Sequence, residues 1–248
     1  MINQTKLKDI PDLLSVEGHY DTSFAVLDSL SRLSYRNIAI ANMATDEIIY
    51  LSENCTNSIG VSREEILEEG IESFALHVCE DNVHILNAAR EAYRQFFSDE
   101  DIEDPSMYTL SFDVRVRSQK TGILNLVHFQ LTPITVPNNA AENLFFCMTS
   151  LSPHKQSGMI EMMDIRDRAY WQYSTSSKHW YMLPDITLKK EEIEVIKLSA
   201  QGLSILEMSH VMNKSFDTIK FYRKVLFKKL KVENITEAVS YAMAKQLI

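Results

Sequence analysis

The sequence predicts an α+β domain built on an antiparallel sheet, followed by a small all-α domain of four helices. Strand-like alternation of apolar residues occurs first in two short runs and later in three longer ones, with helical spacing between them. From Ile186 onwards the chain changes to short helical segments that begin with capping signals. The formal charge changes sign at the same place.

The 248 residues carry a formal net charge of −9, and this charge is unevenly distributed. Residues 186–248 hold eleven Lys and Arg against seven Asp and Glu, a net charge of +4. The preceding 185 residues hold fourteen against twenty-seven, a net charge of −13. This asymmetry indicates an acidic body joined to a small module that binds an anion.

The composition is that of a soluble globular protein, with 45% apolar and 24% charged residues. No apolar run approaches the roughly 18 residues that span a bilayer. The first residues also lack the apolar segment of a signal peptide, so we expect a cytoplasmic protein without a membrane partner. Cys55, Cys79 and Cys147 show neither disulfide nor zinc spacing, which favours free thiols.

The body is predicted to begin with a helix and a hairpin. Apolar residues at helical spacing indicate a lead-in helix over 20–34. Alternating residues then indicate two strands around 38–40 and 48–50, joined by a polar turn. These two strands would form a hairpin.

Helices and then strands complete the body. Ser62 with Glu65 is a capping-box pattern for a short helix, and residues 80–97 form a longer amphipathic one. Two long alternating runs flank the turn at 118–122, and a last strand spans 144–151. Filling the core is the expected use of the apolar strand residues, with a ligand pocket as the alternative: Phe112, Val114, Leu126 and Phe129.

This order of two strands, several helices and three strands resembles the PAS fold, a sensor and dimerisation module, over roughly residues 35–151. The stretch "FALHVCEDN" at 74–82 is loosely similar to the His-Pro-Glu-Asp loop of that family, although Val78 and Cys79 stand where proline is expected. The resemblance implies a domain that senses a signal or holds two chains together. It names no ligand and no cofactor.

Residues 158–183 contain two further strand-like runs around the polar turn "STSSK", which indicates a hairpin extension. Packing is the expected role of its aromatic residues: Trp171, Tyr173, Trp180 and Tyr181. The predicted domains are a helical lead-in at 1–34, a PAS-like domain at 35–152, a β-hairpin extension and linker at 153–185, and the four-helix domain at 186–248.

Capping signals divide the last domain into four short helices. Gly202 ends the first, and capping boxes begin the second and the fourth, Ser204 with Glu207 and Asn234 with Glu237. The second and third helices are joined by a few residues, which fits helix-turn-helix geometry.

The third helix of this domain lies within the basic stretch "SFDTIKFYRKVLFKKLK", with Ser215 or Asp217 available to cap it. On a helical wheel Ile219, Leu226 and Leu230 form a buried stripe. Tyr222 lies at the margin of this stripe, and the other faces mix basic and apolar side chains: Lys220, Phe221, Lys224, Val225, Lys228 and Lys231. Lysine suits phosphates and guanine edges, and apolar groups suit thymine methyls, although a solvated face of a core helix is the alternative.

Residues 187–248 resemble the LuxR/GerE-type helix-turn-helix of bacterial transcription factors. The matching residues are Leu188, Glu192, Glu194, Val195, Ile196, Ala200, Gly202, Leu203, Ser204, Glu207, Ser215, Thr218, Ile219, Lys220, Lys229, Leu230, Val232, Glu237 and Ala238. The departures are Lys189, Lys214, Tyr222 and Val225; Thr187 can replace the cap missing at the first of these.

The resemblance implies that the third helix lies in the major groove of DNA. It places Lys220, Phe221 and Lys224 toward the bases and Thr218, Arg223 and Lys228 nearer the phosphates. The candidate DNA-binding residues are Ser215, Thr218, Lys220, Phe221, Arg223, Lys224, Val225 and Lys228.

These observations predict a dimeric, sequence-specific transcriptional regulator whose partner is double-stranded DNA, with RNA polymerase as a further candidate partner. The resemblance implies that the fourth helix can pair two copies. An interaction adaptor whose helix-turn-helix does not bind DNA is one alternative. A sigma-factor-like subunit is another, which the acidic, strand-rich body disfavours.

Sequence motifs give no support to an enzyme, a cofactor or a metal site. There is no glycine-rich phosphate loop, GxSxG elbow or HExxH pair. A cluster of potential ligands has a spacing that matches none of the usual zinc patterns: His77, Cys79, Glu80, Asp81 and His84. We therefore predict no catalytic residues.

Overall fold

A computed structural model of the chain describes residues 19–53, 61–99, 102, 104–134, 143–245 and 247–248. They divide into two compact units. The first holds the described residues up to Ser152 together with residues 156–183, and the second holds residues 153–155 and 184–248. No helix among these described residues is long and apolar enough to cross a membrane.

The first unit has the element order that the sequence predicts. Its elements are α1 (His19–Ser34), β1 (Asn37–Asn42), β2 (Glu47–Leu51), α2 (Arg63–Glu69), α3 (Ile71–His77), α4 (Glu80–Asp99), a 3-10 turn (Pro105–Met107), β3 (Tyr108–Arg117), β4 (Leu124–Pro133), β5 (Leu144–Leu151), β6 (Ile160–Asp164), β7 (Tyr170–Ser174) and β8 (His179–Met182). The strands form one antiparallel sheet in the order β2-β1-β5-β4-β3-β6-β7-β8. The succession on which the PAS resemblance rests is thus confirmed.

The main core lies between one face of the sheet and helices α2 to α4. Phe112 and Phe129 are direct cross-strand partners on β3 and β4, and their rings stack with centroids 5.1 Å apart. Val114 is fully buried beside them. These residues fill the core as expected, whereas Leu126 is only half-buried and lies outside this cluster.

Residues 158–183 form three strands, where the sequence suggested two. β6 pairs with β3, placing Met162 opposite Leu110, so the sheet continues past β3. The extra turn lies at residues 165–169, where Arg168 has a positive φ of 59°. The tryptophans pack on α4 as expected, whereas Tyr181 is 51% exposed and contacts the hydroxyl of Ser177.

The lead-in helix α1 packs on the sheet through one aromatic contact. Phe24 stacks on Tyr50 of β2 with ring centroids 5.0 Å apart. The Tyr50 hydroxyl donates to Asp28 Oδ1 at 2.5 Å, and burial is the first cause that raises the pKa of Tyr50. These contacts hold the middle of α1 against the edge strand β2.

The second unit contains the four predicted helices, α5 (Lys190–Ala200), α6 (Ile205–Val211), α7 (Phe216–Leu230) and α8 (Ile235–Ala244). Each helix contributes buried residues to one small core: Val195, Ile196, Leu198, Met208, Ile219, Leu226, Leu230, Ala238 and Ala242. Gly202 has a φ of 86° after the last turn of α5, which explains why that helix ends there.

Candidate DNA interface

The capping box at the start of α6 fixes the first half of the helix-turn-helix. Ser204 Oγ accepts from the Glu207 N–H at 3.3 Å, and Glu207 Oε2 accepts from the Ser204 N–H at 2.7 Å. The Ser204 hydroxyl also donates to Glu207 Oε2 at 2.7 Å, and this hydrogen bond, followed by the one from the Ser204 N–H, lowers the pKa of Glu207. The Lys214 N–H then donates to Ser209 O at 2.9 Å and closes the turn toward α7.

Ser215, and not Asp217, caps α7. Its Oγ accepts from the Thr218 N–H at 3.1 Å and lies 2.8 Å from Thr218 Oγ1. The hydroxyls of two candidate DNA-binding residues are therefore held together at the first turn of the helix. Their positions are set by the cap and do not require a ligand.

Helix α7 has a buried stripe and a basic face. Ile219, Leu226 and Leu230 are buried, as the helical wheel predicts. The residues of the opposite faces are mostly exposed: Lys220, Phe221, Lys224, Lys228 and Lys231. Phe221 is 62% exposed.

Three predicted contact residues are less open than the wheel suggests. Thr218, Arg223 and Val225 are half-buried. The Arg223 guanidinium lies over the Phe227 ring, with Cζ 5.8 Å from the ring centroid. Val225 therefore does not share the full exposure of Phe221.

One lysine of α7 serves the fold. Lys229 Nζ lies 2.7 Å from Glu192 Oε2 and 3.0 Å from Thr187 O. Glu192 is buried and also accepts from the Lys189 N–H at 2.8 Å. Glu192 thus closes the start of α5, a role for which Thr187 had been a candidate.

The three other lysines of α7, and Lys231 directly after its last residue, have no such partner among the described residues. None of Lys220, Lys224, Lys228 and Lys231 forms an ion pair with any residue in the described part of the chain. Their charges are therefore uncompensated on one exposed surface. Such a surface attracts a polyanion.

A residue absent from the predicted site lies at the start of α7. The Phe216 ring is 42% exposed, and Lys220 Nζ lies 4.6 Å from its centroid. Residues four apart on a helix lie on the same face, so the spacing permitted this contact, although it does not fix the rotamers that form it.

The cluster of potential metal ligands that the sequence suggested lies at the junction of α3 and α4. His77 Nδ1 lies 3.2 Å from Gln119 Nε2, the Cys79 N–H donates to Arg115 O, and Asp81 pairs with Arg115 at 3.4 Å. These contacts connect the junction to the sheet.

Burial raises the pKa of the Cys147 thiol to about 12, and Cys55 lies outside the described residues.

Comparison with known proteins identifies the last domain. Residues 187–242 match the family described as "Bacterial regulatory proteins, luxR family". The predicted helix-turn-helix class is thereby confirmed. Regulatory protein SdiA of Escherichia coli is 31% identical over 67 residues, which cover 27% of this chain and 28% of SdiA. The chain thus matches well under two thirds of that relative.

Solved structures align over more of the chain but less closely. The crystal structure of the phage VqmA–DPO complex aligns with 91% of this chain and 90% of its own, at 15% identity and a TM-score of 0.33. The PAS-B domain of Drosophila melanogaster Cycle aligns with 47% of this chain and 99% of its own, at 13% identity and a TM-score of 0.35. TM-scores of this size are too low for either likeness to bear on function.

Proposed function

Because residues 187–242 match the luxR family, we propose that the chain is a sequence-specific DNA-binding regulator of transcription that inserts α7 into the major groove. The observation that carries the proposal is the exposed face of α7, where four lysines have no ion-pair partner among the described residues. An α-helix fits the major groove of B-DNA, where each base pair presents a distinct pattern of donors, acceptors and methyl groups.

The side chains of α7 divide into two roles under this proposal. Lys220 and Lys224 approach acceptors on base edges, while Phe221 and Val225 meet thymine methyl groups. Contacts to the phosphates come from the remaining predicted residues: Ser215, Thr218, Arg223 and Lys228. Phosphate contacts fix the position of the helix, and base contacts select the sequence.

Salt-titrated binding to a random duplex tests the proposal. Each phosphate that a lysine neutralises steepens the dependence of log K on log salt by about 0.9. Wild type should show a steep negative slope, and Lys228→Ala should reduce it by about 1. Lys197→Ala is the matched control, because this exposed lysine has the same charge but lies on α5.

An adaptor protein would give a different result. It would bind random duplex weakly, without a steep slope, and the two alanine variants would behave alike. That outcome would replace the regulator with the adaptor, because the basic face would then be only a solvated surface.

We further propose that the regulator is a homodimer in the cytoplasm, with RNA polymerase as a second partner. Helix α1 supports pairing, because Val26, Leu30 and Leu33 form one stripe at helical spacing and are 53%, 48% and 79% exposed. On α8 Met243 is also exposed, at 56%. A two-fold dimer favours inverted half-sites about one helical turn apart.

Sedimentation velocity tests the pairing role of α1. The double variant Leu30→Lys/Leu33→Lys should sediment as a monomer at concentrations where wild type is a dimer. Leu76→Lys, at a leucine of α3 that is 79% exposed, should leave the dimer intact. A dimer that survives the double variant would exclude α1 as the pairing surface.

The PAS-like body would then act on the dimer through a signal. A ligand shifts the population of dimer arrangements only if it binds one arrangement more tightly than the other. Native mass spectrometry of the purified chain checks this step, because a co-purifying ligand adds a defined mass that is lost on denaturation.

A further inference from the structure

The start of α7 holds an exposed pair of a cation and an aromatic ring. Phe216 is the first residue of the helix, and Lys220 follows one turn later. Lys220 Nζ lies 4.6 Å from the centroid of the Phe216 ring. An ammonium within about 6 Å of a ring centroid is attracted by the negative face of the ring.

We propose that Phe216 is a positioning residue that holds the Lys220 ammonium in place for reading a base edge. The inference rests on the proposed DNA-binding function and extends it to a residue outside the predicted contact set. In a helix-turn-helix, the N-terminal residues of the recognition helix contact the base edges. The pair lies at this end of α7.

A ring suits this role better than a carboxylate. Asp217 lies three residues before Lys220, yet the two form no ion pair in the described part of the chain. A carboxylate on Lys220 would cancel its charge and repel the phosphates of DNA. The Phe216 ring orients the ammonium and leaves its full positive charge, and the remaining N–H donors stay available to an acceptor on the base.

The other lysines of the face lack this support. Phe221 and Phe227 each stand three residues from Lys224, yet the cation–ring contacts among the described residues involve only Arg166, Lys220 and Arg223. A free lysine loses more side-chain freedom when it is fixed against a base. The Phe216 contact restricts the Lys220 side chain before DNA binds, so less side-chain entropy is lost when the lysine is fixed against a base. The contact should therefore increase the discrimination between DNA sequences.

The test uses the full chain and a duplex that wild type enriches from a randomised library. The measured quantity is the ratio of Kd for random duplex to Kd for the enriched duplex. Phe216→Leu keeps an apolar side chain but removes the ring, and we expect it to lower this ratio by about two- to fivefold. Phe216→Tyr keeps the ring and should retain the wild-type ratio.

A second measurement reports the contact without DNA. In wild type the ring current of Phe216 should shift the Lys220 ε protons upfield, and in Phe216→Leu this shift should be lost. Phe216 is exposed enough that neither variant should unfold the domain, which thermal melting by circular dichroism checks.

The outcomes separate the inference from the function on which it rests. If wild type enriches no duplex, the proposed function fails, while the ring-current shift still decides whether the contact exists. If wild type enriches a duplex but Phe216→Leu keeps the full ratio, or Phe216→Tyr loses as much as Phe216→Leu, the positioning role is wrong. An unchanged Lys220 shift in Phe216→Leu would also overturn it.

Discussion

Lys229 and Glu192 form an ion pair inside the four-helix unit, with Nζ 2.7 Å from Oε2. The Glu192 side chain is 3% exposed, so its charge depends on this partner and on the N–H of Lys189. The neighbouring Lys228 is exposed and has no ion-pair partner among the described residues. Adjacent lysines of one helix thus differ in environment, because Lys229 pairs with a buried carboxylate and Lys228 is exposed to solvent.

Substituting the two lysines should separate stability from binding. Lys229→Ala leaves the Glu192 carboxylate buried without its cation, which should lower the free energy of unfolding by about 2–4 kcal/mol. Lys228→Ala should change it by less than about 0.5 kcal/mol and should weaken DNA binding instead. Far-UV circular dichroism during urea unfolding measures the first effect. A similar loss of stability in both variants would contradict the assignment.

Lys224 should contribute to selectivity. Lys224→Ala should weaken binding to the enriched duplex by about 1–3 kcal/mol, because a base-edge contact is lost. Binding to random duplex should fall by less, since there the lysine only neutralises phosphate. Equal losses on the two duplexes, measured by fluorescence anisotropy, would show that Lys224 does not read bases.

Phe221 should recognise thymine methyl groups. Replacing thymine by uracil in the enriched duplex removes these methyls and should cost wild type about 0.8 kcal/mol for each lost contact, or about fourfold in affinity. Phe221→Ala should bind the thymine and uracil duplexes equally well. If the variant still distinguishes them, another side chain contacts the methyl group.

The sequence predicted the faces of α7 because burial in a helix follows its period. Ile219, Leu226 and Leu230 recur at that period, and the structure buries them. A wheel gives the direction of a side chain and no depth, so Val225 was expected to be open, whereas it is half-buried. The contact of Phe216 with Lys220 depends on rotamers that the sequence does not specify.

The strands after residue 158 were harder to predict because the extra turn at residues 165–169 contains charged residues. Asp167 and Arg168 interrupt a run that otherwise resembles one strand. The apolar pattern of the sequence also did not indicate which distant segments contact each other. The Ile71 N–H donates to Asp46 O, and the Glu72 N–H donates to the Asp46 carboxylate, across more than twenty intervening residues.

Gly70 should be required for this contact between the β1–β2 turn and α3. Its φ is 80°, and a Cβ there would overlap the carbonyl oxygen of Asp46. Gly70→Ala should therefore cost about 2 kcal/mol or more in the free energy of unfolding. Gly122 has a similar φ of 71° with open space around it, so Gly122→Ala should cost only about 1 kcal/mol. The tryptophan fluorescence of this unit measures both, and equal costs would show that the overlap is relieved.

Asp164 should make the first unit sensitive to acid. The Arg166 side chain donates two hydrogen bonds, from Nε at 3.0 Å and from Nη2 at 2.6 Å, and this contact is the first cause that lowers the pKa of Asp164 below its ordinary value of 3.8. A carboxyl whose pKa is lower in the folded state stabilises the fold fully above the unfolded pKa and loses that contribution as pH falls through the folded pKa. Wild type should therefore be more stable than Asp164→Asn at pH 7.

The difference between the two proteins should shrink as pH falls below 3.8, because protonation of Asp164 then removes the same charge as the substitution. Urea unfolding followed by tryptophan fluorescence at several pH values measures it, since Trp171 lies on the neighbouring strand β7. Asp167→Asn is the control, because Asp167 is exposed on the next turn and the amide keeps an oxygen for the Ala169 N–H. A difference between wild type and Asp164→Asn that stays constant down to pH 2 would exclude the Arg166 contact as the source of the acid sensitivity.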